Sequence, residues 1–193
     1  MKKIILSLAL LTAFSITTKA QLILGVKAGA NFSHINTDQF NQSTLTGYQA
    51  GIFVRGGRGF FVQPELYLSG TGSNFTVQNA GKTENAKVRF TNINVPLLFG
   101  QSFGSSSLNF RIMAGPIYTG ILNIDQNFSD NAKATYQDIG TYKTGTLGFQ
   151  AGAGVDVGSI TFDARYEGGL TKVNSAYGQR QNLFALSVGY KFL

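Results

Sequence analysis

Nine charged residues of this chain occupy alternate positions in segments whose other positions are apolar. They are Lys27, Arg55, Glu65, Arg111, Asp156, Asp163, Arg165, Glu167 and Lys191. The four acids and five bases nearly balance, so the group could form an ion or proton path, or a set of paired charges that fills an interior. A buried charge is costly unless it is paired. The sequence therefore favours ion pairs across an interior, with no open pore.

His34 is another candidate for chemistry, since Asn36 and Asp38 lie close to it at the start of the first predicted long loop. A hydrolytic site needs a histidine beside a nucleophile or a carboxylate. The chain has one histidine and no cysteine, which excludes thiolate sites and argues against a histidine-rich metal site. We predict a protein that is not an enzyme, with no catalytic, cofactor-binding or metal-binding residues. An enzyme acting on lipid or peptide is the alternative.

Glycine-rich segments supply two further motifs. Gly148, Gly152 and Gly154 superficially resemble a nucleotide loop, but their spacing is not GxGxxG and no helical pattern follows. They are better explained as small residues that leave room for arginine side chains. The segment 55–59, Arg-Gly-Gly-Arg-Gly, resembles an RNA-binding fragment, yet its place between two strands predicts a turn whose glycines adopt positive φ.

Strands must position these residues, because apolar and polar side chains alternate with period two along most of the chain. The pattern predicts eight strands, at 22–33, 46–55, 60–69, 89–99, 108–119, 142–157, 160–170 and 183–193. Short turns are predicted at 56–59, 100–107 and 158–159. Long polar loops are predicted at 34–45, 70–88, 120–141 and 171–182. With no helical segment to cross over, the sheet is an antiparallel meander.

The charge pattern indicates which side of the sheet faces which solvent. The nine charges share one side, whereas the apolar side of the strand bodies carries none, and only 13% of all residues are charged against about 25% in soluble proteins. Lipid on the outside explains an uncharged outer face, and eight strands leave an interior just wide enough for side chains. We predict an all-β, eight-stranded antiparallel up-and-down transmembrane β-barrel. A soluble, lipocalin-like carrier is the alternative.

The first twenty residues read as a secretory signal peptide. Lys2 and Lys3 precede an apolar run over 4–16 that is too short to span a bilayer, and small residues stand three and one positions before Gln21. The prediction is a signal peptide at 1–20, cleaved, and a barrel domain at 21–193. The net charge of +7 falls by three lysines on cleavage, and neither this modest excess nor export favours a nucleic-acid partner.

Short stretches in all eight predicted strands carry a family resemblance. They are 25–33 (GVKAGANFS), 47–53 (GYQAGIF), 61–67 (FVQPELY), 93–98 (INVPLL), 114–116 (AGP), 148–154 (GFQAGAG), 162–166 (FDARY) and 187–192 (SVGYKF). In this order and spacing the chain resembles the PorT-like outer-membrane β-barrel family of Bacteroidetes-type bacteria. Two departures are Asn94, where such proteins often carry a carboxylate, and the terminal Phe192-Leu193. The resemblance implies an outer-membrane location with both termini in the periplasm.

The functional prediction is a monomeric barrel that contacts the outer-membrane lipid bilayer and has a structural or binding role. It would act through its outward loops or within an envelope assembly. The loop aromatics that would bind a protein or glycan, or else pack on the barrel rim, are Phe40, Phe75, Phe128, Tyr136 and Tyr177. Two alternatives stay open, namely a narrow channel for ions or small solutes and a barrel enzyme active at the rim.

Overall fold

The computed structural model describes residues 22–36, 42–79, 82–127, 145–171 and 180–192. Residues 1–20 and the aromatics Phe40, Phe128, Tyr136 and Tyr177 lie outside this part of the chain. The strands are β1 Leu22–Asn36, β2 Gln42–Gly56, β3 Phe60–Asn79, β4 Lys82–Gly104, β5 Leu108–Asn127, β6 Gly145–Val157, β7 Ile160–Gly169 and β8 Arg180–Lys191. No helix with the length and hydropathy to cross a bilayer occurs among the described residues.

The eight strands form one closed antiparallel barrel in chain order, which confirms the predicted fold. Closure comes from β1 and β8, which pair from Gly25 opposite Lys191 to Asn36 opposite Arg180. A closed barrel leaves no free sheet edge along its wall, so the backbone N–H and C=O groups find partners within the sheet. That is the condition for a β-structure to exist in hydrocarbon.

The two faces of the wall have opposite polarity. Val26, Ile52 and Val188 are about half exposed on the outer face, while Lys27 and Arg55 from the same strands are buried inside. Outward aromatic rings stand at the tight-turn end, such as Phe60 and Phe103, and toward the other end, such as Phe32 and Tyr48. An apolar belt with aromatic rings near both edges is the surface that a bilayer covers.

Tight turns join the strands at one end of the barrel, where the described chain also begins and ends. Gly57, Gly59 and Gly158 have positive φ values of 129°, 68° and 57°, a conformation that glycine adopts without a Cβ clash. These positions confirm the predicted turns at 56–59 and 158–159. The predicted turn at 100–107 is shorter than expected, because β4 continues to Gly104 and Ser105 N–H donates to the Leu108 carbonyl at 2.8 Å.

The predicted loops at the opposite end are partly wrong. Residues 70–79 and 82–88 are strand, paired as far as Asn79 opposite Lys82, and β5 runs to Asn127. His34 lies within β1 opposite Asn182 rather than at the start of a loop, and Phe75 lies in β3. These segments have polar residues at both sets of alternate positions, so the sequence lacks the apolar–polar alternation that predicts a strand. Outside the membrane a hairpin still forms, because backbone pairing holds it and water solvates both of its faces.

Candidate functional site: the charged lumen

The nine charged residues singled out from the sequence all lie on the inward face of the barrel. Lys27, Arg55, Glu65, Arg111, Asp156, Asp163 and Arg165 are buried, and Glu167 and Lys191 are half-buried. Strand alternation alone puts them there, since each sits at the opposite parity to the exposed apolar residues of its strand. Alternation does not predict which of these residues form ion pairs with one another, because that depends on the strand registers around the barrel.

In the inner part of the lumen, ion pairs connect side chains of β1, β3 and β7. Lys27 Nζ lies 2.5 Å from Glu65 Oε2, and Arg165 Nη1 lies 2.8 Å from the same oxygen. Arg165 Nη2 continues to Asp163 Oδ2 at 2.8 Å. Glu65 therefore accepts from two cations that come from different strands, β1 and β7.

The chain of contacts continues toward the tight turns. Arg111 Nη2 lies 2.9 Å from both Asp163 Oδ1 and Asp156 Oδ1, and it also donates to Thr161 Oγ1. Arg55 Nη1 reaches Asp156 Oδ2 at 2.7 Å, and Lys191 Nζ is 3.3 Å from that oxygen. We call this continuous set the charge ladder; its members are Lys27, Glu65, Arg165, Asp163, Arg111, Asp156, Arg55 and Lys191.

Uncharged side chains brace the ladder, and the sequence reasoning missed most of them. Gln63 accepts from Arg55 Nε at 2.6 Å and donates to Glu65 Oε1 at 2.6 Å. The Arg55 guanidinium lies 5.5 Å and 5.3 Å from the ring centres of Phe53 and Phe61, within cation–π range. Phe53 and Phe61 occupy the same alternate positions of their strands as Arg55 and Gln63, so alternation places both rings inside. Hydropathy suggests the opposite, because large apolar residues are expected to face lipid.

A neutral polar layer lies on the side of the ladder away from the tight turns. Asn94 Nδ2 donates to Ser69 Oγ at 2.8 Å, and Thr119 Oγ1 donates to Asn94 Oδ1 at 2.9 Å. Glu167 stands apart from the ladder and accepts from Gln150 Nε2 at 2.9 Å. The amide at Asn94, where the resembled family often has a carboxylate, is matched by neutral partners.

Glycines make room for the guanidinium groups. A Cβ on Gly154 would clash with Asp163 Oδ1 and would lie 2.6 Å from Arg111 Nη2, and a Cβ on Gly152 would lie 2.8 Å from Arg165 Cγ. The segment thus has the packing role expected from the sequence, in a strand rather than in a nucleotide loop.

The resulting arrangement is a filled cross-section. Arg55–Asp156 and Arg165–Glu65 cross between distant strands, and Phe61, Leu98 and Met113 form an apolar cluster beside them. Within the described part of the chain, no group of three or more His, Cys, Asp or Glu side chains is placed to hold a metal ion. The site's chemistry is that of paired charges held in a narrow interior.

Comparison with known proteins gives a family and several barrels of similar fold. The family model described as outer membrane protein beta-barrel domain matches residues 17–175. Ail of Yersinia pestis, solved with the heparin analogue sucrose octasulfate, is 13% identical at a TM-score of 0.47, over 89% of this chain and 99% of Ail. Neisserial surface protein A is 15% identical at a TM-score of 0.47, and the match covers 88% of this chain and 97% of that protein.

A third solved barrel is outer membrane protein W of E. coli. It is 18% identical at a TM-score of 0.42, over 88% of this chain and 97% of its own. No curated protein matches the chain. Identities in this range say nothing about activity.

Proposed function

Because the chain belongs to the outer membrane protein beta-barrel domain family, we propose that it is a non-enzymatic, non-conducting outer-membrane barrel that binds a partner at the end opposite its tight turns. Its apolar outer wall contacts the lipid bilayer of the outer membrane. We place this activity outside the lumen, because the charge ladder and the apolar cluster cross the barrel interior between the strands.

One observation carries the binding role, namely the unequal height of the wall. β3, β4 and β5 have 20, 23 and 20 residues, whereas β7 has 10. About 9–11 residues suffice for a tilted strand to cross the hydrocarbon. Since the strands meet in short turns at one end, the additional residues of β3 to β5 project from the other end.

The tip of this projection offers backbone for a partner. We call residues 72–79 and 82–89 the β3–β4 ribbon. β2 accompanies the ribbon only to Phe75, and β5 only to Lys87. Beyond these residues, neither edge of the ribbon has a pairing neighbour in the described strands. Free N–H and C=O groups on a strand edge are a template for an added strand, so we propose an extended segment of an envelope or surface protein as the occupant.

Position-specific crosslinking tests the binding role. A photo-crosslinking side chain at Thr83, at the ribbon tip, is compared in intact envelopes with the same group at Ser106, in a tight turn. We expect Thr83 to capture a protein that Ser106 does not, and we expect the capture to be lost when 77–84 is replaced by Asn-Gly. Capture of glycan alone would replace the protein partner with a glycan. No capture beyond that at Ser106 would contradict the proposal.

Finer assignments belong to the same proposal. We propose that the chain is a PorT-like member, monomeric, with 1–20 removed as a signal peptide. The order of the eight matching stretches supports the PorT-like assignment. Short turns face the periplasm in barrels of this type, which supports periplasmic termini, because Leu22 and Phe192 lie at the tight-turn end. The mass of the mature chain tests the cleavage, since it should correspond to residues 21–193.

A further inference from the structure

A cavity of about 490 Å³ opens into the lumen at the tight-turn end of the barrel. Its volume falls in the range of roughly 300–1,000 Å³ that is usual for small-molecule sites. Its charged lining residues are Arg55, Arg58, Asp156 and Lys191. The hydroxyls of Ser102, Ser105 and Ser106 and the amide of Asn109 also line it. We call this cavity the basic vestibule.

The vestibule carries an excess of positive charge. Arg55, Arg58 and Lys191 face a single lining acid, Asp156, which leaves +2 among these residues. Asp156 is moreover shared, because it contacts Arg55, Lys191 and the adjacent Arg111. One carboxylate does not neutralise three cations, so the vestibule favours an anion.

Two residues that line the vestibule carry buried polar atoms without a hydrogen-bond partner among the described residues. Arg55 is 3% exposed; its Nε and Nη1 donate to Gln63 and Asp156, while its Nη2 has no hydrogen-bond partner among the described residues. Asn109 Oδ1 is likewise buried without a partner in that part of the chain. Both atoms lie below the accessible surface, so a ligand in the vestibule reaches them only after a side-chain shift, and the excess positive charge of the lining is what favours an anion there.

From these features we propose that the basic vestibule binds a phosphate group, held by Arg55, Arg58 and Lys191. A phosphate dianion offsets the +2 excess, and its oxygens accept from guanidinium, ammonium and hydroxyl donors alike. Outward aromatics Phe103 and Phe192 at the same end place the vestibule near the headgroup level of the bilayer. The phosphate group therefore comes either from solution or from a phosphorylated lipid headgroup.

Titration of the full mature chain in dodecyl maltoside, which contains no phosphorus, tests the proposal. ³¹P NMR follows binding of inorganic phosphate in buffered chloride. We expect saturable binding that weakens at least tenfold in R58Q/K191Q. Arg58 is exposed, and Lys191 is the one ladder member that is not buried, so this double variant removes the excess charge and leaves the seven buried ladder residues unchanged. K82Q/K87Q removes the same charge at the opposite end of the barrel and should bind as the unaltered chain does.

A second titration, with phosphatidic acid in mixed micelles, separates the two sources. Binding of both ligands, with the same loss in R58Q/K191Q, shows that the phosphate group suffices. Binding of the lipid alone, with that loss, assigns the headgroup as the source. Saturable binding of neither ligand, or equal affinity in R58Q/K191Q and K82Q/K87Q, would overturn the proposal. The result does not depend on the β3–β4 ribbon, which lies at the other end.

Discussion

At the scale of single residues, the lumen is stable because every carboxylate of the ladder is shared by cations from different strands. Glu65 forms ion pairs with Lys27 and Arg165, and Asp163 forms ion pairs with Arg111 and Arg165. Removing one carboxylate therefore takes an ion-pair partner from two buried cations at once, and a buried charge that loses its partner costs more than the pair itself contributes.

Glu65→Gln is the sharpest test of this sharing. The substitution keeps the size of the side chain but leaves Lys27 without a carboxylate partner among the described residues and Arg165 with Asp163 alone, and we expect it to lower the free energy of unfolding by about 3–5 kcal/mol. Urea unfolding in detergent micelles measures the change. Glu84→Gln, near the ribbon tip, is the matched control and should unfold as the unaltered protein does. Equal midpoints for the two variants would contradict the role of Glu65.

Gly154→Ala tests whether the ladder is tightly packed. The added Cβ would meet both Asp163 and Arg111, so we expect a loss of about 1–3 kcal/mol, as for overpacked cores. Gly56→Ala is the control, since a Cβ there would meet no atom within 4 Å, and its effect should stay within about 0.5 kcal/mol. Similar unfolding midpoints for the two variants would show that the lumen is loosely packed around Gly154.

The sequence predicts which residues face the lumen but not which of them pair. Lys27 and Glu65 are assigned inward by parity alone, whereas the Arg165–Glu65 contact joins residues 100 positions apart and depends on the registers of several strand pairs. Phe53 and Phe61 were missed for a different reason. Hydropathy assigns a large aromatic ring to lipid, yet strand alternation places both rings inside, where the Arg55 guanidinium lies 5.5 Å and 5.3 Å from their centres.

At the scale of strands, the outward-facing side chains of each strand determine which part of the barrel wall lies in the membrane. Val188 lies near the middle of the outer wall, opposite Ala28 on β1 and Phe162 on β7. This row was predictable because lipid imposes strict alternation. The ribbon was not, because water accepts polar side chains on both of its faces and the pattern of alternation disappears.

Val188→Arg tests the assignment of the outer wall. A charge on the lipid face near the midplane costs about 2–4 kcal/mol, and we expect that loss on unfolding from lipid vesicles. Ser106→Arg, in an exposed tight turn, introduces the same charge outside the hydrocarbon and should have little effect. If Val188→Arg were as stable as Ser106→Arg, that row could not face lipid.

At the scale of the whole molecule, the fold is an inside-out arrangement with an apolar exterior and a charged interior that ion pairs cross. The closed sheet satisfies the backbone, and the lipid covers side chains that water would drive to aggregate. We expect the purified protein to require detergent and to migrate differently on gels before and after boiling. A chain that is monodisperse in plain buffer, with one mobility, would contradict a membrane barrel.

Single-channel recording in planar bilayers shows whether the ladder and the apolar cluster close the lumen. We expect the purified, refolded protein to insert and to give no steady conductance steps of porin size. Steady openings of that size from a homogeneous preparation would show an open pore and contradict the filled lumen on which the account rests.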